Sequence, residues 1–303
     1  MTTICVPDEQ AREIVGSLDG IDVLVWNGKG SAPDLVSAVD MFVPGYSTEP
    51  DPAAAFEQMP ALSVVQLLSA GVEPWLGLLP PGVVLCNGRG VHGGSTAELA
   101  VAGILSALRE LPKFHVAQLS HRWERTSTDG LDGKRVLVVG AGDIGARIAA
   151  SLTPLGAEVT LVARRAREGV HATGELPALL PVHQVVVIAV PHTPDTERMV
   201  DVAFLAAMPA GALLVNVARG SLVDTEALLA ELRSQRLSAF LDVTDPEPLP
   251  PDHPLWDAPN CVLTPHVGGG TRGWQRRAYR LVREQAMRLH NGDRLQNVVG
   301  EAY

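Results

Sequence analysis

Short apolar runs alternate with more polar, helix-like segments along the first 87 residues. Strands that are buried on both faces of a helix-covered parallel sheet are continuously apolar in this way. The pattern therefore predicts a small α/β domain at the start of the chain. Its strands are expected at residues 4–6, 23–26, 41–43, 63–68 and 83–86.

A second alternation of the same kind starts at residue 135. Before it comes an Ala- and Leu-rich segment, Thr96 to Leu111, which predicts a long buried helix that ends before Pro112. A polar loop that contains Trp123 follows this helix. The later apolar runs lie at residues 135–139, 159–162, 185–190, 212–217, 238–243 and 261–264. Six strands with intervening helices predict a doubly wound nucleotide-binding sheet.

The part of the chain from residue 270 onward contains one helical segment and a tail. Because this is too little to bury a core of its own, we expect it to pack on the first α/β domain. The predicted fold is α/β with two domains, a doubly wound Rossmann domain inserted in a smaller flavodoxin-like domain. We expect residues 1–95 plus 270–303 to bind the substrate, residues 96–269 to bind the dinucleotide, and a cleft to lie between the two lobes.

A glycine-rich turn, Gly140-Ala141-Gly142-Asp143-Ile144-Gly145, joins the first strand of the second set to a helix-like segment. In such a turn Gly140 permits the tight bend, Gly142 lets the backbone approach a pyrophosphate, and Gly145 lets helix and strand pack closely. The amides around Asp143 and Ile144 would then meet phosphate at the helix N-terminus. This context predicts a dinucleotide site, and the alternative is an ordinary strand-to-helix turn.

The end of the next strand bears on which dinucleotide binds. An acidic residue usually stands there and binds the adenine ribose hydroxyls, whereas this chain has Ala163 followed by Arg164 and Arg165. A carboxylate would repel a 2′-phosphate, and a guanidinium offers it a planar set of donors. The sequence therefore favours NADP(H) and leaves NAD(H) possible. The alternative is that both arginines only form a solvated turn.

Three residues of different chemistry follow later strands: Arg219, Glu247 and His266. An arginine can bind the carboxylate of a 2-keto acid bidentately, and a histidine can protonate the carbonyl oxygen as it is reduced. A glutamate on the other imidazole nitrogen would fix the tautomer and favour the charged form. Each residue alone has an ordinary structural explanation. Their joint position at strand ends of one nucleotide-binding sheet predicts a catalytic triplet.

Composition narrows the classes of function. With 303 residues, 46% of them apolar, 19% charged and a net charge of −10, the chain is typical of a globular protein and unlike a general polyanion binder. The basic stretch at residues 272–288 predicts an amphipathic helix with a solvated face, and nucleic-acid contact is its alternative. Three scattered cysteines predict reduced thiols and no metal site. Without a secretory or membrane-spanning segment, we expect a cytoplasmic protein.

Several segments together resemble the D-2-hydroxyacid dehydrogenase family, most closely its glyoxylate/hydroxypyruvate reductases. They are residues 68–72, 96–101, 140–145, 191–196, 216–220, 241–250, 253–256 and 264–269. The resemblance implies that Arg219, Glu247 and His266 are catalytic, and that the protein is a dimer formed through the second domain. It implies that the substrate carboxylate binds backbone amides of Ala70, Gly71 and Val72. Further cofactor contacts are implied at Pro191, Thr196, Val217, Ala218, Asp242, His266 and Gly268.

Two features depart from the family pattern. Ala163 replaces the usual acidic residue, which favours NADP(H) over NAD(H). Residues 235–240 lack the customary glycines and are one residue short, which we expect to alter only a helix-to-strand turn. The expected function is the NADPH-preferring reduction of a short 2-keto acid, such as glyoxylate or hydroxypyruvate, to the D-2-hydroxy acid. The alternatives are a dinucleotide-sensing regulatory protein and a formate or phosphite dehydrogenase of the same family.

Overall fold

The structure is a computed structural model that describes residues 1–46 and 51–300. The chain divides into two compact units, Met1–His92 with Thr271–Tyr303 and Gly93–Gly270. Each unit has its own parallel sheet and apolar core, so the predicted α/β class is confirmed. That one unit binds the substrate and the other the dinucleotide stays a prediction. Within the described ranges, no helix combines the length and apolarity needed to cross a bilayer.

The sheet of the first unit has five parallel strands in the order β2-β1-β3-β4-β5. They are β1 (Thr2–Val6), β2 (Ile21–Val25), β3 (Met41–Phe42), β4 (Val64–Gln66) and β5 (Val84–Cys86). All five predicted runs are strands, and their order is that of flavodoxin-like folds. Neighbouring residues such as Ile4 and Cys5 enter different core clusters, because successive side chains point to opposite faces of a sheet.

α-Helices connect the strands of both units. In chain order they are α1 (Glu9–Val15), α2 (Ala53–Phe56), α3 (Gly93–Leu108), α4 (Leu111–Leu119), α5 (Asp143–Leu152), α6 (Leu176–Leu179), α7 (Val202–Ala207), α8 (Thr225–Arg233) and α9 (Trp274–Asn291). The predicted amphipathic helix near the C-terminus is confirmed as α9. Its apolar face, with Tyr279 and Val282 fully buried, belongs to the core of the first unit.

Buried amides also tie α9 and the chain after it to the first unit. The Nε2 of Gln285 donates to Oε1 of Gln66 (2.9 Å) and to the carbonyl oxygen of Gln296 (3.0 Å), and its Oε1 accepts from the Gln296 N–H (2.8 Å). The N–H of Val299 donates to the carbonyl oxygen of Leu85 in the edge strand β5 (2.9 Å). The last described residues therefore extend the sheet edge.

The sheet of the second unit has seven parallel strands in the order β12-β11-β10-β9-β6-β7-β8. They are β6 (Arg135–Val139), β7 (Glu158–Ala163), β8 (Val170–Ala172), β9 (Val185–Ile188), β10 (Leu213–Asn216), β11 (Ser238–Leu241) and β12 (Cys261–Leu263). The six predicted strands are confirmed. The sequence does not predict β8, because this edge strand is short, partly exposed and has no apolar run. Strand order reverses between β6 and β9, where doubly wound sheets bind ligands.

The helix that was expected from Thr96 to Leu111 differs in its extent. α3 starts at Gly93 and ends at Leu108, and a separate helix, α4, follows. Pro112 does not terminate a helix but lies in the first turn of α4, where the missing N–H of a proline costs no hydrogen bond. The prediction of this boundary was therefore wrong, and part of the expected polar loop is helical.

The turn that departs from the family's glycine pattern joins α8 to β11. Gln235 adopts the left-handed conformation there, with a φ of 56°. A non-glycine residue tolerates this conformation at some cost, and glycine does so freely. β11 nevertheless begins at Ser238 and pairs in register with β10 and β12. That the departure from the family pattern alters only this turn stays a prediction.

Candidate active site

The glycine turn after β6 is shaped by close backbone contacts. Gly140 has a φ of 120°, and a side chain there would overlap the carbonyl group of Ala189 after β9. A side chain at Gly145 would overlap the carbonyl oxygen of Gly140. Both positions therefore require glycine, as the motif predicts.

The N-terminus of α5 meets the requirements of a phosphate site. Gly142 is the N-cap residue, no side chain caps the first turn, and the space that a Cβ of Gly142 would occupy is open. The carboxylate of Asp143 is turned to Arg147, whose Nε lies 2.8 Å from its Oδ1. Uncapped amides beside open space, at the positive end of a helix, fit the pyrophosphate of a dinucleotide.

Basic residues stand at the carboxyl end of β7, on the same edge as the glycine turn. Arg164 and Arg165 are exposed, directly after the last residue of the strand, Ala163. Sequence reasoning did not single out Arg167, whose Nη2 donates to the carbonyl oxygen of Ala141 in the glycine turn (2.8 Å). The repetition of arginines within four residues was the available signal. The arrangement places guanidinium groups where the adenine ribose of a dinucleotide is expected.

The loop after β9 holds two of the predicted cofactor residues. Thr196 Oγ1 donates to the carbonyl oxygen of Pro191 (2.8 Å) and accepts from the N–H of Thr193 (2.8 Å). The first of these bonds joins the end of the loop at Thr196 to its start at Pro191. Nε2 of His192 is buried and has no hydrogen-bond partner among the described residues.

The turn after β10 positions Arg219. Asn216, which is 1% exposed, donates from Nδ2 to the carbonyl oxygen of Arg219 (2.8 Å) and accepts on Oδ1 from the N–H of Ala218 (3.1 Å). Nη1 of Arg219 donates to the carbonyl oxygen of Ala218 (2.8 Å). A buried amide therefore fixes the backbone of residues 216–219, including Val217. Asn216 is a positioning residue that the sequence motif contained but did not explain.

Asp242 organises the segment that carries His266. Its Oδ1 accepts from Thr264 Oγ1 (2.6 Å) and the Val267 N–H (2.9 Å), and its Oδ2 accepts from the Gly268 N–H (2.9 Å). The carboxylate is 2% exposed, so these contacts compensate its burial. Both oxygens of Asp242 are thus engaged by its own unit. A contact between this side chain and nicotinamide stays a prediction.

Glu247 and His266 form the centre of the site. Glu247 Oε1 lies 2.6 Å from His266 Nδ1, and the two side chains are 40% and 41% exposed. The hydrogen bond that His266 donates to Glu247 raises the pKa of His266 above its ordinary value; burial and the charge of Arg219 oppose this, and the charge of Asp242 supports it. The same hydrogen bond lowers the pKa of Glu247. In the structure, Arg219, Glu247 and His266 are therefore close enough for their charges to influence one another.

The predicted carboxylate-binding residues Ala70, Gly71 and Val72 follow β4 in the first unit. Their carbonyl oxygens accept hydrogen bonds from Asn87 Nδ2 (3.0 Å), Ser69 Oγ (2.8 Å) and the Trp75 N–H (2.8 Å), in that order. These bonds fix the backbone of the segment. Its part in substrate binding rests on the resemblance and stays a prediction.

Comparison with known proteins agrees with this geometry. A family model described as the NAD-binding domain of D-isomer specific 2-hydroxyacid dehydrogenases matches residues 101–268. A glyoxylate/hydroxypyruvate reductase A of Klebsiella pneumoniae (strain 342) is 30% identical over 296 residues, which are 93% of this chain and 91% of that protein. The chain belongs to the D-isomer-specific 2-hydroxyacid dehydrogenase family.

Two solved structures extend the comparison. A D-isomer specific 2-hydroxyacid dehydrogenase from Xanthobacter autotrophicus Py2, in complex with NADPH and MES, superposes with a TM-score of 0.84 at 30% identity, covering 99% of this chain and 98% of that one. An NADPH-dependent glyoxylate/hydroxypyruvate reductase from Sinorhizobium meliloti, in complex with NADP and sulfate, gives 0.85 at 26% identity, covering 100% and 99%. This dehydrogenase is accordingly an NAD(P)-dependent oxidoreductase with the predicted Rossmann domain.

Proposed function

We propose that this dehydrogenase reduces a short 2-keto acid, such as glyoxylate or hydroxypyruvate, to the D-2-hydroxy acid with NADPH. The observation that carries the proposal is the 2.6 Å hydrogen bond between Glu247 and His266, whose pKa values are both influenced by Arg219. A cation for the carboxylate and an acid for the carbonyl oxygen are what this reduction requires.

Each residue of the triplet has a distinct role in the proposal. Arg219 binds the substrate carboxylate through its guanidinium group and orients the keto carbon. His266, with Nδ1 bonded to Glu247, delivers the proton from Nε2 to the oxygen that becomes the hydroxyl group. Glu247 keeps the imidazole in its charged form and fixed orientation. The nicotinamide dinucleotide supplies the hydride when it is bound. In the oxidation direction, neutral His266 accepts the proton.

The preference for NADPH rests on the end of β7. Ala163 provides no carboxylate to repel a 2′-phosphate, and Arg164 and Arg165 are exposed beside the glycine turn. The two solved relatives described above contain NADPH or NADP, which supports the same choice. NAD(H) remains the alternative cofactor. A homodimer and a cytoplasmic location also remain predictions.

A substrate panel tests the proposal. The protein is incubated with NADPH or NADH and with glyoxylate, hydroxypyruvate or pyruvate, and oxidation of the cofactor is followed by its absorbance. Formate and phosphite with NADP⁺ or NAD⁺ are the comparison substrates. We expect turnover of at least one 2-keto acid, faster with NADPH at equal, subsaturating cofactor concentration. Folded protein that binds NADPH and turns over no 2-keto acid would refute the proposal. A dinucleotide-dependent change of oligomeric state without turnover would instead support the regulatory alternative.

A further inference from the structure

The loop that carries Glu247, residues 244–250, is anchored upstream of the glutamate. Thr225 Oγ1 donates to the carbonyl oxygen of Asp245 (3.0 Å), and Thr244 Oγ1 donates to that of Pro246 (2.9 Å). These bonds hold the backbone that leads into Glu247. Neither bond holds the part of the loop that follows Glu247.

The downstream end of this loop is bonded to the motif at residues 253–256, which the triplet does not explain. Trp256 Nε1 donates to the carbonyl oxygen of Pro250 (2.7 Å), and the His253 N–H donates to the same oxygen (3.1 Å). The motif forms a short 3-10 helix, Pro254–Asp257, in which His253 Nδ1 accepts from the Leu255 N–H (3.2 Å). One carbonyl oxygen thus receives two donors from one compact turn.

Leu255 anchors this turn in the core of the second unit, because its side chain is 2% exposed. Trp256, the next residue, is 52% exposed. It lines a cavity of about 470 Å³ together with both members of the acid–base pair. The remaining lining residues are Asp242, Thr244, Pro248, Leu249, Leu263, Thr264 and Pro265. Trp256 therefore forms part of the wall of the cavity that Glu247 and His266 also line.

We propose that Trp256 is a positioning residue for Glu247: its indole N–H clamps the downstream end of the glutamate's loop through Pro250, and its ring shields the hydrogen bond to His266 from water. The inference rests on the proposed roles of Glu247 and His266. It explains the presence of Trp256, a residue that is more than half exposed and whose indole N–H bonds to Pro250 rather than to Arg219, Glu247 or His266. A shielded hydrogen bond between charged groups is stronger than one in water.

Three charges influence the imidazole and must be held constant in a test. Glu247 raises the pKa of His266, Asp242 raises it more weakly, and Arg219 lowers it. Substitution of Trp256 alters none of these charges. A change in the titration of His266 would therefore report on the placement or hydration of Glu247.

The test compares Trp256→Phe and Trp256→Ala with the wild type. Phe keeps an aromatic wall and removes the N–H, and Ala removes both. The control is Trp26→Phe, which removes a similar bond, from Trp26 Nε1 to the carbonyl oxygen of Lys29 (2.9 Å), in the first unit. The measured quantity is kcat/KM for the 2-keto acid against pH at saturating NADPH, since this profile reports the titration of the catalytic groups in the enzyme–NADPH complex before the keto acid binds.

The expected result is an alkaline limb displaced to lower pH. Well above the limb we expect kcat/KM to fall about 2- to 5-fold in Trp256→Phe and about 5- to 20-fold in Trp256→Ala, with little change well below it. Trp26→Phe should leave the profile unchanged. Loss of activity by the same factor at every pH, or a lower melting temperature with an unmoved limb, would show a merely structural role and overturn the inference.

A double-mutant cycle separates this inference from the proposed function. If Trp256 acts through Glu247, then Trp256→Phe should not move the limb further in a Glu247→Gln background. An equal, additive displacement in that background would contradict the clamp. If Glu247→Gln and His266→Gln both leave the wild-type rate and profile, the proposed function itself fails. If they do not, and Trp256→Phe has no effect, only the role of Trp256 is wrong.

Discussion

Replacing Glu247 by Gln removes one negative charge beside His266 and preserves the shape of the side chain. In the wild type the 2.6 Å hydrogen bond between them is the largest cause of the raised pKa of His266. The lowering effect of Arg219 and the raising effect of Asp242 remain in the variant. The pKa of His266 should therefore fall. Because the proposed reduction needs the protonated imidazole, the variant should lose activity at a lower pH than the wild type.

The magnitude follows from the strength of a hydrogen bond between charged groups, about 1.5–3 kcal/mol in a protein. The Glu247 and His266 side chains are 40% and 41% exposed, so solvent screening reduces this to about 1–2 kcal/mol. That free energy corresponds to a factor of about 5 to 30 in the protonation equilibrium. Well above the alkaline limbs of both proteins, Glu247→Gln should be slower than the wild type by this factor. Well below both limbs their rates should agree.

The assay is kcat/KM for glyoxylate or hydroxypyruvate against pH with saturating NADPH. In the oxidation direction the neutral imidazole is the base, so the acid limb should move to lower pH by the same amount. Glu175→Gln is a matched control, because Glu175 Oε2 lies 2.7 Å from Nδ1 of His171 in an exposed pair at the β8 edge. A profile that Glu247→Gln leaves unmoved, or that Glu175→Gln moves equally, would refute the assigned acid–base pair.

Three further predictions concern the cofactor and stability. Replacing Arg164 and Arg165 together by Ala should raise KM for NADPH about 10- to 100-fold and change that for NADH less than about 3-fold, because only NADPH carries the 2′-phosphate; equal changes in initial-rate assays would refute this. His183, 3% exposed, has a pKa lowered chiefly by burial. The folded protein should therefore lose stability as the pH falls through the unfolded value of about 6.5, and His183→Gln should reduce that loss in melting curves; parallel curves would contradict it. Gln285→Ala should lower the free energy of unfolding in urea by about 2–4 kcal/mol, since it leaves Gln66 and Gln296 without their buried partner. The matched control is Gln58→Ala at an exposed glutamine, which should lower the free energy of unfolding by less than about 0.5 kcal/mol. A loss there as large as that of Gln285→Ala would count against the buried network.

The sequence by itself determined the strands and the glycine turn. A strand such as β9 (Val185–Ile188) is buried on both faces, and that burial requires the continuous apolar run that is visible in the chain. Gly145 is needed because a side chain there would overlap the carbonyl oxygen of Gly140 in the same turn, so the motif and the structure express one local constraint. The proximity of Arg219, Glu247 and His266 was predictable for a related reason: the carboxyl ends of parallel strands meet at one edge.

Only the tertiary structure decided which side chains fix the site. Asp242 is bound by the segment that carries His266, and Arg167 reaches the glycine turn. The common reason is that these bonds join segments at distances along the chain that no repeat or period marks, through residue types that occur throughout the sequence. Local patterns of apolar and polar residues determine which face is buried, whereas the choice of hydrogen-bond partner arises only when separate loops are brought to the same sheet edge.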